Sequence, residues 1–330
     1  MKEKDIRPAH LLDEYLRLSK IDAKKFFSDR KSFIQIPCPA CNSDLSYLLI
    51  EKHGFNYNIC EKCNSIFLSP RPLEHSFEIF YKNSPSSNYW AETFFPSVAE
   101  ARRELIFKNR VKKITDYCME KKINHSNVID VGAGYGIFLE EWKKIHKNDN
   151  IYALEPGEKL AEICRSKKIE TLEKFSEDAK EWHSKGDLVT CFEVIEHVHS
   201  PLDFIKSLKM LTKKKGQVLV SGLSGDGYDI QMLGKDSNSV SPPHHLNFIS
   251  IEGFEIMFKK AGFDKIDIIT PGMLDFDIVK NAMNSENFFL YNNGFAKLIS
   301  KRGEQAEKDF QRFLQKHKLS SHVWIFARHS

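Results

Sequence analysis

The chain carries no long apolar run. Nothing in its 330 residues approaches the stretch of about 20 apolar residues needed to cross a bilayer, which excludes a membrane-spanning helix. The opening Met-Lys-Glu-Lys-Asp lacks the apolar core of a secretory signal, so a cytoplasmic protein is expected. A surplus of one charge is also missing. The formal net charge is +4 with both signs interleaved, which argues against a dedicated polyanion binder. No internal repeat or low-complexity tract stands out, so solenoids and arrays are excluded. The even cysteine count of a disulfide framework is absent too: there are seven, four of them in a metal-binding spacing, and both facts favour a reducing compartment. What is plentiful is core material. Phe alone numbers 25, and the length suggests two domains.

From Asn127 onward, short apolar runs alternate with helical patterns, the signature of βαβ units and a parallel sheet. Strands are expected at 127–131, 151–155, 187–192 and 216–222, a weaker one at 169–172, then 265–270 and a final run from His322 to Arg328. A helix over 250–261 is begun by Ser250 and stopped near Gly262. Residues 9–28 place Leu11, Leu12, Tyr15, Leu16 and Phe26 at helical spacing. They are read as a helix packed on the body or on a second copy, which leaves a homodimer open. Residues 73–96 look irregular and aromatic, and a further helix is expected from Ser97 to Lys122. The expected division is a helical segment at 1–36, a metal ribbon at 37–72, a linker and helical lid at 73–122, and an α/β domain at 123–330 with a helical insertion at 271–321.

The most informative run is Asn127-Val-Ile-Asp-Val-Gly-Ala-Gly-Tyr-Gly136, followed by Ile151-Tyr-Ala-Leu-Glu155. A strand delivering Asp130 turns through Gly132, Gly134 and Gly136, where the backbone must bend sharply and admit a ligand without a Cβ in the way. A helix beginning near Ile137 then presents free N–H groups. Glu155, at the tip of the next strand, is placed to accept both hydroxyls of a ribose. A dinucleotide fingerprint requires G-x-G-x-x-G. From Gly132 the sixth position is Ile137, and from Gly134 it is Leu139. The pattern present is D-x-G-x-G-x-G, whose acid would repel a pyrophosphate and suits a cation.

This motif resembles that of the class I S-adenosylmethionine (SAM) dependent methyltransferases, whose cofactor is a sulfonium cation with an amino-acid tail. The resemblance implies a Rossmann-like seven-stranded α/β sheet with the last strand antiparallel. It also implies SAM bound by Asp130, Gly132, Gly134, Tyr135, Glu155, Pro156, Phe192 and Glu193. A NAD-linked oxidoreductase is disfavoured by the missing sixth-position glycine.

Cys38-Pro-Ala-Cys41 and Cys60-Glu-Lys-Cys63 form C-x₂-C…C-x₂-C at zinc-site spacing. Four thiolates on one tetrahedral ion leave no position for water, so the expected zinc is structural, and it would supply folding energy that so short a segment lacks. Cys118, Cys164 and Cys191 are expected to be packing residues. Between Cys38 and Pro72, Lys52, Lys62 and Arg71 are balanced by Asp44, Glu51 and Glu61, so no charge surplus is offered to nucleic acid. Ribbon plus SAM domain is similar to a bacterial group of zinc-ribbon methyltransferases that includes sugar C-methyltransferases and enzymes of surface-glycan or secondary-metabolite pathways. The implied acceptor is a small molecule, a sugar or nucleotide-linked sugar. Two alternatives stay open: an RNA methyltransferase that uses its ribbon for recognition, and a non-catalytic SAM-fold scaffold.

Two segments fall where such a fold holds its acceptor, beyond the carboxyl ends of the fourth and fifth strands. In Cys191-Phe-Glu-Val-Ile-Glu-His197, the trio Glu193, Glu196 and His197 resembles a metal-binding set of ubiquinone-biosynthesis O-methyltransferases. The preferred reading puts the glutamate beside the cofactor and packs the histidine. In Ser241-Pro-Pro-His-His-Leu-Asn247, His244 and His245 are the candidate general bases, with His245 favoured and Tyr228 and Asp226 behind them. Tyr89, Trp90, Phe94 and Phe95, with Arg102 and Arg103, are read as packing rather than as a grip on an anionic acceptor.

Overall fold

In the computed structural model, which describes residues 2–283 and 294–329, eleven strands follow in chain order. They are β1 Ser46–Lys52, β2 Phe55–Cys60, β3 Ile66–Leu68, β4 Asn127–Val131, β5 Asn150–Leu154, β6 Glu170–Leu172, β7 Gly186–Phe192, β8 Thr212–Leu223, β9 Asn247–Phe248, β10 Lys265–Ile269 and β11 His322–Arg328. They form two sheets, and the chain divides into two units.

One unit comprises Glu100–Gly222, Phe254–Ile268 and Trp324–Ser330. Its sheet runs β10-β11-β8-β7-β4-β5-β6, with β4 parallel to β5 and β7, β5 parallel to β6, and β7 parallel to β8. The last strand of the chain thus inserts between β8 and β10. Strands with both faces covered should read as continuous apolar runs, and β7 is buried over six of its seven residues. Helices Lys108–Lys121 and Ile137–Ile145 place Val111, Ile114, Cys118, Phe138, Leu139 and Trp142 in the core with Val128, Leu188, Trp324 and Phe326.

The other unit joins Met1–Ala99 to Leu223–Gly253 and Ile269–Val323. Its sheet, β1-β2-β3-β9, is antiparallel throughout: Ile66 pairs with Phe248 and Phe67 with Asn247, so a segment nearly two hundred residues downstream completes the ribbon. Helix Ala9–Phe26 packs inside this unit, with Tyr15 against Trp90 and Phe94, Phe26 against Phe80, and Asp22 accepting from Ser86 N–H at 2.8 Å.

Residues 73–96 are not irregular. They form helices Glu74–Asn83 and Pro85–Tyr89, and a π-helical turn at Trp90–Phe94 that continues through Phe95–Arg102. Ser84 caps the second helix and Pro85 stands at its first position, so a run that looked turn-rich is a helix-start signal. Helices Asp275–Met283, Gly294–Lys301 and Glu304–Lys316 occupy the expected insertion, of which 284–293 lie outside the described residues. Among the described residues, no helix is long and apolar enough to cross a membrane.

Candidate functional site

Asp130, at the carboxyl end of β4, is buried and accepts a hydrogen bond from Thr190 Oγ1 at 2.8 Å. Burial pushes its carboxyl up to about 7; the Thr190 bond and the Arg110 charge oppose that shift, and Glu155 adds to it. Gly132, Gly134 and Gly136 follow with φ of +69°, +54° and +67°, a region that L side chains rarely adopt. They differ in what surrounds them. A Cβ on Gly132 would stand 2.6 Å from Val194 Cγ2, and one on Gly136 2.9 Å from Ile169 Cδ1, whereas one on Gly134 would meet nothing within 4 Å. The middle glycine therefore faces the open side of the loop.

Glu155 follows the end of β5 and is buried. Its two oxygens accept the N–H groups of Gly134 at 2.8 Å and Gly157 at 2.9 Å, while burial raises its carboxyl against those bonds. The side chain first read as a ribose acceptor thus also braces the glycine loop, and each oxygen keeps lone-pair capacity for a hydroxyl. Tyr135 is half-buried with its carbonyl accepting from Lys167 Nζ at 2.7 Å, and Pro156 is exposed. Phe192, at the end of β7, packs edge-on against Phe138 with centroids 4.8 Å apart. Glu193 leaves that strand with φ +58° and accepts from Ser221 Oγ at 2.5 Å. Glu196 is buried, and desolvation reinforced by Glu193 holds its carboxyl well above the usual range. Cys118, Cys164 and Cys191 are all buried, and Cys164 Sγ donates to the Gly134 carbonyl at 3.3 Å.

Sequence reading missed Arg110. It sits on helix Lys108–Lys121, buried, with its guanidinium 4.1 Å from the Phe192 ring centroid and 3.7 Å from Glu193 Oε1. Its Nε has no hydrogen-bond partner among the described residues. The available signal was a single arginine on the face that also buries Val111, Ile114 and Cys118. Arg103, by contrast, directs its fork at Glu141 (2.6 Å) and Glu140 (2.9 Å), which engages it structurally. At the loop end of this sheet the charges of Glu193 and Asp130 act on the Arg110 guanidinium, and that of Glu155 acts on Asp130. That charge balance suits a cation carrying an anionic tail.

The two candidate bases lie in the other unit. His244 is buried among Tyr15, Phe80 and Tyr81, pairs through Nε2 with Ser86 Oγ at 3.0 Å, and is pushed down to about 3 by burial, with His245 adding to the shift. Such an imidazole is a packing group. His245 is half-buried, and its Nδ1 lies 2.6 Å from the Ser239 carbonyl. A carbonyl can only accept, so Nδ1 carries a hydrogen, and in the neutral ring the lone pair is then on Nε2. Asp226 accepts from Ile251 N–H at 2.7 Å, and burial pushes the Tyr228 hydroxyl up to about 12.

The four ribbon cysteines bring their Sγ atoms within 4.8 Å of one another, with Cys38–Cys63 and Cys41–Cys60 at 3.5 Å. A disulfide requires about 2.05 Å, and all four thiols are free. The spacing fits four sulfurs at about 2.3 Å from one tetrahedral ion. The two knuckles share the pattern Cys-x-x-Cys-Asn-Ser, over Cys38-Pro-Ala-Cys-Asn-Ser43 and Cys60-Glu-Lys-Cys-Asn-Ser65. Asn42 and Asn64 both take positive φ and donate N–H to Cys38 and Cys60 carbonyls at 2.8 and 2.9 Å. Arg71, counted above as a surface cation, is fully buried and donates to Leu68 and Asn247, so even less charge faces solvent.

A family model described as a methyltransferase domain matches residues 99–268, more than half of the chain. The chain belongs to the methyltransferase domain family. It is similar to the ubiquinone biosynthesis O-methyltransferase of Vibrio parahaemolyticus, 33% identical over 118 residues, covering 33% of this chain and 49% of the relative. The Vibrio cholerae enzyme of the same name is 32% identical over 118 residues, covering 33% and 47%. The chain thus spans about half the length of the curated relatives it matches. A solved SAM-dependent methyltransferase from Archaeoglobus fulgidus is 15% identical with a TM-score of 0.47, covering 68% of this chain and 94% of that one. The family match covers the whole glycine-loop site and begins after the four-cysteine segment.

Proposed function

We propose that this family member transfers the methyl group of SAM to a small molecule, a sugar or nucleotide-linked sugar. The observation that carries the reading is the glycine loop. Gly134 leaves its side open to a ligand, and Asp130 places a buried acid two residues before the first glycine, where it would repel a pyrophosphate. Family membership supports methyl transfer, and similarity to enzymes named ubiquinone biosynthesis O-methyltransferases supports a small acceptor. Asp130, Gly132, Gly134, Tyr135, Glu155, Pro156, Phe192 and Glu193 would hold SAM. Arg110, whose Nε has no hydrogen-bond partner among the described residues, would face the carboxylate of its amino-acid tail. A buried guanidinium is worth most opposite a carboxylate, where two bonds form at once.

The four cysteines would hold a structural zinc that closes the ribbon. SAM supplies an electrophilic methyl group, and the protein must align the acceptor, exclude water and take the acceptor's proton. For that last task His245 is the better of the two histidines, because its Nδ1–H is anchored and its Nε2 bears the lone pair.

Calorimetric titration with SAM tests the reading, with one site per chain expected and absence of heat overturning it. Labelled methyl transfer to a library of nucleotide sugars then tests the acceptor. His245→Ala should lower turnover at least about 100-fold, the usual worth of a general base, with SAM affinity nearly unchanged. Unaltered turnover removes His245 from the mechanism.

A further inference from the structure

At the other end of β4 from the glycine loop, three side chains converge that methyl transfer leaves unused. His125 lies just before β4, Asp149 just before β5, and His146 caps the carboxyl end of helix Ile137–Ile145. One ring nitrogen of each histidine and one carboxylate oxygen lie within 4.8 Å of one another. The closest pair is His125 Nδ1 and Asp149 Oδ2, 2.7 Å apart, and the two imidazole centroids are 4.5 Å apart. We propose that His125, His146 and Asp149 form a binding site for a divalent transition-metal ion of the zinc, cobalt and nickel class.

The donor set is the first ground. Two imidazole nitrogens and one carboxylate oxygen suit these ions, whereas magnesium and calcium prefer all-oxygen shells. The support behind the donors is the second. Trp142 Nε1–H donates to Asp149 Oδ2 at 2.9 Å, Lys143 Nζ donates to the Asp149 carbonyl at 2.5 Å, and Thr115 Oγ1 pairs with His146 Nε2 at 2.8 Å. Such contacts fix ring orientation and carboxylate direction before the ion arrives. The Thr115 bond fixes the tilt of the His146 ring.

Access is the third ground. The side chains of His125 and Asp149 are 25% and 12% exposed, open enough for an ion to enter and for water to complete its shell. Strand β4 spans five residues, so the ion would sit about 16 Å from the glycine loop at 3.3 Å per residue. Its role would be to tie the end of one helix to the starts of two strands.

The test uses the full-length chain with its ribbon already loaded with zinc, titrated with cobalt(II). We expect one further equivalent per chain, with visible d–d absorption and without the thiolate charge-transfer band that exchange into the ribbon would produce. His125→Gln and Asp149→Asn should each weaken it more than tenfold, and Thr115→Val about tenfold through ring orientation alone. Failure to take up a second equivalent at millimolar cobalt overturns the proposal. So does an unchanged second equivalent in folded His125→Gln and Asp149→Asn. Should either variant not fold, the wild-type stoichiometry and spectrum still decide. SAM binding enters neither readout, so this site stands or falls independently of the function proposed above.

Discussion

Asp130 shows how one buried carboxyl couples ligand binding to pH. Its acidity in the free protein is shifted to about 7, with Thr190, Arg110 and Glu155 as the groups facing it. A sulfonium ligand favours the ionised form. Below pH 7, binding must therefore first remove a proton, and SAM affinity should fall by up to about tenfold per pH unit. Above pH 7 it should level off. Calorimetry between pH 5.5 and 8 checks this, and Asp130→Asn should flatten the profile. The glycines separate strain from access. Gly132→Ala combines a positive φ with a 2.6 Å clash and should cost roughly 2 kcal/mol or more of stability. Gly134→Ala carries the strain alone, about 1 kcal/mol, but directs a methyl into the open side of the loop and should lower SAM affinity more than it lowers stability. Urea melts of both variants beside SAM titrations check the contrast.

At the scale of elements, the ribbon is held by its four sulfurs and by one distant strand. β3 pairs with β9, and Ser250, which caps helix Ile251–Lys260 by accepting from Gly253 N–H at 2.9 Å, also donates to the Cys63 carbonyl. Removing the proposed zinc with a chelator should free Cys38, Cys41, Cys60 and Cys63 together, so four extra thiols should react with a thiol reagent. Cys118, Cys164 and Cys191, buried apart from the ribbon, should stay protected. Chelation that changes no thiol count would mean the cluster closes without metal. The helices show a different lesson. Ser84-Pro85 is legible as a helix start once the cap is considered, yet composition alone makes that stretch look like a turn.

At the scale of the molecule, ligand binding to the folded state raises stability by mass action. SAM at about 100 times its dissociation constant should add roughly 2.7 kcal/mol, and a melting temperature indifferent to SAM would contradict binding to the native fold. The strands of the seven-stranded sheet were largely readable in position, because each is a short apolar run. The spacing of Asp130, the three glycines and Glu155, and of the four cysteines, was readable for the same reason: local backbone geometry dictates which residue types can stand there. Three features were decided only by tertiary structure. β9 was needed to complete the ribbon, Arg110 to face Glu193, and His125, His146 and Asp149 to meet at the foot of β4. Each depends on residues from different elements brought together by packing, and neither periodicity nor a local motif carries that information.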